Sequence, residues 1–525
     1  MKEDLKKLKG SYWITRILYI RCITFIYMVA FLVAYLQNKE LIGERGLTPV
    51  SLFMQRIEAG MGSSDGWASR VLAAPTIFWM LAPTFEHVDW WLDGISVAGL
   101  GLSMVVFITG AANMICMACL WGLYFSIVSV GQTWYSFGWE SMLLEAGFLA
   151  IWSVPLLSLN QLPNNFPTPW LVVAGNRWFL FRVMLGAGLI KIRGDPCWKD
   201  LTCMNYFYET QPVPNPLTYY AHHSPEIFHK LETLSNHVVE LFVPWLVFIP
   251  LRPVNIFVGV SQILFQCILV GTGNLSFLNW LTMVPSIYFF DDYFWSGFVS
   301  QNFSKKVLLY STRSDARMSP IPSRFRMIVN AGVCMLIAYL SIPIVRNMVS
   351  QHQVMNMSYN PLRIVNTYGA FGSVSKERTE VILFGTNSPD PSDPSSLWLE
   401  YEFNCKPGKL SKRPCIISPY HYRLDWLMWF LAFQPYQHNP WLLHVIGKLL
   451  TQPAEINSLL SVNPFPTSEP PKFIVAAKFR YSFTKPGSPE AVKGEWWTRE
   501  YIGEYVPAVD FAALEPAYRQ MGWRK

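Results

Sequence analysis

The sequence predicts a mostly α polytopic membrane domain followed by a β-rich, mixed α+β soluble domain. Three observations carry this. Hydrophobic residues fill 51% of 525 positions and charged residues only 15%, where a soluble chain carries about a quarter charged. Apolar runs of bilayer length recur as far as residue 348. Beyond it, Pro, Gly, Ser and charge return to soluble density.

In chain order, nine apolar runs read as spans: about 13–36, 90–110, 111–131, 135–158, 169–191, 237–251, 253–272, 275–291 and 325–348. A span needs about 20 apolar residues. The first run is too long for a signal peptide and lacks a small-residue cleavage site, so it reads as a signal anchor. The sixth is short and holds Pro244, which suggests a half-buried or re-entrant element. Segments 47–58 and 68–84 are amphipathic and suit a membrane surface. The ending Gly522-Trp523-Arg524-Lys525 is not a retention tetrapeptide.

Orientation follows from Lys and Arg in the loops. Lys2, Lys6, Lys7 and Lys9 place residues 1–12 in the cytosol. Lys305, Lys306, Arg313, Arg317, Arg324 and Arg326 place the loop 292–324 there too. Eight crossings between two cytosolic segments is an even number. The membrane domain 13–348 then presents the loop 192–236 on the lumenal side, and the ninth span delivers the soluble domain 349–525 to that side. The net charge of +7 implies no nucleic acid, because the basic residues sit between spans and form no basic groove. The lipid bilayer is the partner that composition implies.

Sequons flank the ninth span at Asn302 and Asn356, and the charge rule selects Asn356 as the glycosylation candidate. Asn274 lies too close to the membrane. Cys22, Cys116, Cys119, Cys267 and Cys334 fall in spans and read as small hydrophobes, the CxxC spacing of Cys116 and Cys119 included. The other four fall in lumenal segments as two close pairs. Cys197 with Cys203 and Cys405 with Cys415 are the disulfide candidates, with free thiols the alternative.

The loop 192–236 is rich in Pro, His and aromatics. Its Pro212-Val213-Pro214-Asn215-Pro216 run is stiff and extended. His222, His223, His229 and His237 lack zinc-ligand spacing, so no metal is expected, and Arg193-Gly194-Asp195 reads as a turn. No GxSxG, Walker A, HExxH or Rossmann motif is present, so no catalytic or cofactor residue is assigned. Gly186-Ala187-Gly188 reads as a helix-packing face.

Glu140, Glu145, Arg177, Arg182 and Lys191 are ionisable residues in spans, where charge is costly. On antiparallel neighbours, positions at equal depth have a constant sum. Glu140 with Arg182 and Glu145 with Arg177 share one sum, so one register of the fourth and fifth spans would pair both. Five residues turn a helix by about 500°, so a straight interface favours one pair. At least one Glu–Arg bridge is expected.

In the soluble part, Thr379–Gly385, Leu397–Asn404, Pro414–Ser418 and Phe473–Phe483 read as strands. Leu424–Phe433 and Trp441–Leu450 read as helices.

The run Arg182–Trp198, the stretch Tyr208–Pro216, Leu231–His237 and Pro419-Tyr420-His421-Tyr422-Arg423-Leu424-Asp425-Trp426 resemble the lipase maturation factors, from Tyr12 to Trp523. Gly138-Trp139-Glu140-Ser141 and Ile364–Gly372 resemble the factor-one branch more than factor two. The resemblance implies an endoplasmic-reticulum membrane protein that assists folding, dimer assembly and secretion of homodimeric lipases such as lipoprotein, hepatic and endothelial lipase. It implies client engagement by the C-terminal lumenal region, no cofactor and no catalytic residue. A rival reading is a membrane-embedded enzyme, weakly similar in architecture to the vitamin K-dependent carboxylase, with Lys191 as base. An open cavity holding Lys191 beside a second acid or base would favour it.

Overall fold

The computed structural model describes residues 2–61, 66–82, 86–163, 166–314 and 323–523. Helix α1 (Trp13–Ile42) is 30 residues of nearly unbroken apolar sequence. Gly43 ends it, its N–H turning back onto the Asn38 and Lys39 carbonyls at 3.0 Å. Its first turn is capped from far along the chain. The Asp292 carboxylate accepts from the N–H groups of Trp13 (2.7 Å), Ile14 (2.8 Å) and Thr15 (3.2 Å). A carboxylate there satisfies orphan donors and complements the positive end of the helix dipole.

Helices α2 (Val88–Thr109), α3 (Met114–Val130), α4 (Gly138–Trp152) and α5 (Trp170–Arg193) follow. Gly99 lets α2 lie on α1; a Cβ there would meet the Phe31 ring at 2.4 Å. Helix α6 (Glu226–His237) runs into a π turn over Val238–Phe242 and a 3-10 turn over Val243–Phe248, where Pro244 breaks the α pattern. Then come α7 (Arg252–Gly271), α8 (Leu278–Ser286) and α9 (Ser323–Val349).

Among the described residues, four helices are long and apolar enough to cross a membrane: α1, α2, α7 and α9. That is fewer than the nine expected. Helix α3 has 17 residues, α4 has 15 and α8 has 9, while α5 carries four basic residues. The physical reason is burial among other helices. Met142, Leu143, Leu144 and Ala146 of α4 have no exposed surface, so that helix need not meet lipid along its length.

Helix α6 also begins earlier than the expected sixth span, inside the stretch read as a loop. It buries His229, Thr233, Asn236 and His237 and exposes Ile227, Phe228, Leu231 and Leu234. The exposed apolar stripe continues through Val238, Phe242, Trp245 and Phe248. At 1.5 Å per residue it is about 30 Å long, the thickness of a bilayer's hydrocarbon core.

The helices share two ends. At one, Thr168 Oγ1 donates to the Tyr12 carbonyl at 2.8 Å and Arg252 pairs with Asp291 at 2.8 Å. Leu8, Trp13, Leu162 and Val307 form one buried cluster there, which seats the basic helix Gln301–Ser314 beside the basic N-terminus. At the other end, Arg193 reaches the Met348 carbonyl at 2.6 Å and Asn215 the Gly271 carbonyl at 2.9 Å.

The C-terminal region packs on that second end. Strands β1 (Arg378–Thr386), β2 (Leu399–Glu400), β5 (Phe473–Phe483) and β6 (Trp497–Val509) form an antiparallel sheet in the order β2-β1-β5-β6. Strands β3 (Glu402–Phe403) and β4 (Leu460–Val462) form a small second sheet. Helices α10 (Arg423–Leu431), α11 (Trp441–Thr451) and α12 (Phe511–Met521) complete the region. Leu424, Met428, Val445 and Leu449 share a core with Val381, Leu383 and Ile474.

The Leu397–Asn404 run splits into β2 and β3. Pro414–Ser418 is not a strand. Its backbone is held by a side chain instead: Ile417 and Ser418 N–H groups donate to Asn274 Oδ1 at 3.1 and 3.3 Å, and Asn274 Nδ2 donates to the Cys415 carbonyl at 2.8 Å. The 13-residue β6 was not read from the sequence.

Candidate functional site: the seam between the helices and the C-terminal region

Where the two parts meet, the seam is built from buried charge. Glu145 of α4 pairs with Arg182 of α5, both almost fully buried. The pair is completed by the chain that follows α9. Glu145 Oε2 accepts from Tyr368 OH at 2.7 Å and Asn366 N–H at 3.0 Å, and Arg182 donates to the Asn366 carbonyl at 2.9 Å. These bonds offset much of the desolvation of the buried pair, although Arg182 Nε finds no partner among the described residues.

Glu140, in the first turn of α4, pairs with Arg423 of α10 at 2.7 Å. It also accepts from Tyr124 OH and, at 3.1 Å, from Trp139 Nε1. Arg423 donates to the Trp134 carbonyl at 2.6 Å and stacks 3.5 Å from the Tyr135 ring centroid. From α1, Gln37 accepts the Arg423 N–H at 2.9 Å and donates to the His421 carbonyl at 2.9 Å. His421 Nδ1 lies 2.8 Å from Ser276 Oγ. Burial, then the Arg423 charge, pushes the His421 imidazole well below its ordinary range, so it stays neutral.

The expected pairings therefore need correcting. A Glu–Arg bridge does join α4 and α5, but it is Glu145–Arg182, not Glu140–Arg182 or Glu145–Arg177. Its register is offset by five residues, about 7.5 Å of helix. Glu140 takes its partner from a residue 283 positions away, which arithmetic on two helices cannot reach. Among the described residues Arg177 pairs with no carboxylate; it contacts Tyr12 OH at 3.4 Å and the Tyr288 carbonyl at 3.3 Å and lies over Phe289.

A third cluster ties the sheet to the 192–236 stretch. Glu380 of β1 lies 2.6 Å from Arg378 and 2.9 Å from Lys406, all three buried. Arg378 donates to the carbonyls of Glu209 (2.8 Å), Gln211 (2.5 Å) and Pro212 (3.0 Å). The end of the helix Met204–Thr210 and the start of the proline run present fixed carbonyls to one guanidinium, which suits its planar fork. None of these three residues was singled out from sequence; Arg and Glu in alternation on an otherwise apolar strand was the available signal.

Cys405 adjoins Lys406 of this cluster, whereas Cys197 and Cys203 sit in a separate buried cluster with Trp198 and Val374. Cys197 and Cys203 are bonded, with Cα atoms 4.8 Å apart, and Cys405 and Cys415 are bonded at 5.7 Å, within disulfide range. The Cys405 and Lys406 N–H groups donate to Asp425 Oδ2 at 2.5 and 2.8 Å. Burial holds the Asp425 carboxyl above its ordinary range while those bonds pull it down. Asn356 is exposed, and its Nδ2 donates to the Gly369 carbonyl at 3.1 Å.

Lys191 is buried and bonded to Glu240 at 2.7 and 2.9 Å and to Asn236 at 3.0 Å. An acid stands within reach, and the ammonium is enclosed by Glu240, Asn236 and the Trp198 ring, 5.0 Å away. No group of three His, Cys, Asp or Glu side chains among the described residues is placed to hold a metal.

These features define a class: a membrane protein of apolar helices with a β-containing domain locked onto one end by buried ion pairs. The family model described as the lipase maturation factor transmembrane domain matches residues 14–297, and that of the C-terminal domain matches 364–507. The chain is 53% identical to lipase maturation factor 1 of Mus musculus, covering 98% of this chain and 90% of the relative. It is 52% identical to the Homo sapiens factor 1 (98% and 91%) and 26% identical to the Homo sapiens lipase maturation factor 2 (97% and 84%). The chain belongs to the lipase maturation factor family. No solved structure matches it.

Proposed function

We propose that the chain is a non-enzymatic folding and assembly factor of the endoplasmic-reticulum membrane, needed for secreted homodimeric lipases to leave in active form. The observation that carries the reading is the identity of about half the residues with factors so named, over 98% of the chain. Lys191 supports it too, because a lysine tied to Glu240 and Asn236 is poorly placed to act as a base.

The proposed topology has nine crossings, a cytosolic N-terminus and a lumenal C-terminal domain. Contacts support it: successive helices end alternately beside Tyr12 and Asp292 or beside the C-terminal region. The basic N-terminus and the basic helix Gln301–Ser314 share the first end, as the positive-inside rule requires. In the lumen the two cysteine pairs meet oxidising conditions. A client awaiting its dimer partner exposes apolar interface, and a membrane-bound holder limits its aggregation.

The test is a cell line lacking the factor that secretes lipoprotein lipase. Restoring this chain raises lipase activity per unit of secreted mass. Unchanged specific activity contradicts the proposal.

A further inference from the structure

One cationic cavity lies beside the seam, sharing the Tyr135 ring with it. Its volume is about 420 Å³, and it lies between the facing ends of α3 and α4 and the chain that leaves α9. Ser129, Ser136, Ser141, Asn356 and Asn360 give it a polar lining, and Arg363 supplies its charge. The Arg363 backbone is fixed. Its N–H donates to the Asn360 carbonyl at 3.1 Å and its carbonyl accepts from Asn366 Nδ2 at 2.8 Å. Its φ is 52°, a left-handed conformation that a non-glycine residue holds at a cost.

The guanidinium itself has no hydrogen-bond or ion-pair partner among the described residues. Burial pushes its pKa down, and Glu140 is the carboxylate whose field opposes that. Glu140 is already committed to Arg423, Tyr124 and Trp139. A partly desolvated arginine facing a polar cavity lacks a counter-anion. Around it, Met355, Met357, Tyr359 and Leu362 are exposed, as are Trp67 and Leu72 of the facing segment. The chain reaches this rim within a dozen residues of the end of α9. An apolar and aromatic rim at that level suits the interface of a bilayer.

We propose that this cavity binds a phosphate ester, with Arg363 as its counter-ion, and that the ester is the headgroup of a phospholipid from the adjoining leaflet. Arginine's fork matches phosphate oxygens bidentately. The protons of the Ser129, Ser136 and Ser141 hydroxyls are donated to backbone carbonyls, so their oxygens accept from a headgroup's own hydroxyls while Arg363 holds the phosphate, and the rim meets its acyl chains. A soluble phosphate shares the chemistry but makes no use of the rim.

The experiment uses the full-length protein purified in detergent. It measures phospholipid retained per chain and the shift in melting midpoint with inorganic phosphate or a short-chain phosphatidylglycerol. Wild type retains phospholipid and is stabilised by the short-chain lipid. Arg363→Gly removes the charge and relieves the backbone, so it folds but binds about tenfold more weakly or worse. Arg363→Lys keeps part of the affinity. A shift with inorganic phosphate alone overturns the lipid source. Equal retention and equal shifts in wild type and Arg363→Gly overturn the site.

Discussion

Arg423 is fully buried and meets Glu140, the Trp134 carbonyl and the Tyr135 ring. Removing one member of such a pair strands the other, at about 3–5 kcal/mol. Arg423→Met should therefore lower the melting midpoint of the detergent-solubilised protein sharply. The double variant Glu140→Leu/Arg423→Met should be less damaged than Arg423→Met alone. Additive losses would mean that the two groups act independently. His444 gives a second residue-scale expectation. Burial pushes its imidazole down to about 3, while its Nδ1 contact with the Leu47 carbonyl opposes the shift. The unfolded chain takes up that proton near about pH 6.5 and the folded chain does not. The stabilisation is thus complete above that pH and lost as pH falls from there toward the folded value. The melting midpoint should drop between about pH 7 and about pH 5, with a shallower drop in His444→Phe. At this scale the sequence disclosed the charges inside the apolar runs, Glu140, Glu145, Arg182 and Lys191, but neither their partners nor the buried charges of the C-terminal region, because Glu140 and Arg423 are far apart in the chain and only the folded seam joins them.

Among the elements, legibility followed the face turned to solvent or lipid. Helices α1, α7 and α9 were readable as clear apolar runs, as was the third run, which forms the 17-residue α3. Helix α6 was misread as loop because its polar residues face inward and dilute its mean hydropathy. A lipid-soluble carbene label should mark Leu231 and Leu234 and spare His229. Absence of label from Leu231 and Leu234 would place that face of α6 in water. Strand β6 was missed for a related reason: Thr498, Glu500 and Glu504 are exposed on an edge strand, so its alternation is blurred by charge. Pro414–Ser418 was over-read, because an extended run can be held by one asparagine as well as by a ladder. The Cys405–Cys415 bond closes the loop that carries Lys406 into the Glu380 cluster. Cys405→Ser should cost about 2–3 kcal/mol by loop entropy, read as earlier unfolding of the C-terminal region in limited proteolysis. Proteolysis identical to wild type would show that the hydrogen bonds to Asp425 suffice.

The whole molecule reads as one unit, in which the C-terminal region extends the helical bundle through Glu145, Glu140 and Arg378 rather than hanging from a tether. The general architecture was legible because composition changes at residue 349, and the lipase connection came only from long specific motifs. The count of crossings was less secure, because helices walled in by other helices escape the length and hydropathy that lipid demands. The central claim is that this unit sits with its basic end in the cytosol and its C-terminal domain in the lumen, where clients and oxidising conditions are. Protease treatment of sealed microsomes carrying a tag at each terminus tests it most directly. The account predicts that the N-terminal tag is lost at once and the C-terminal tag survives until detergent opens the membrane. Loss of the C-terminal tag in intact microsomes, with the N-terminal tag protected, would contradict it.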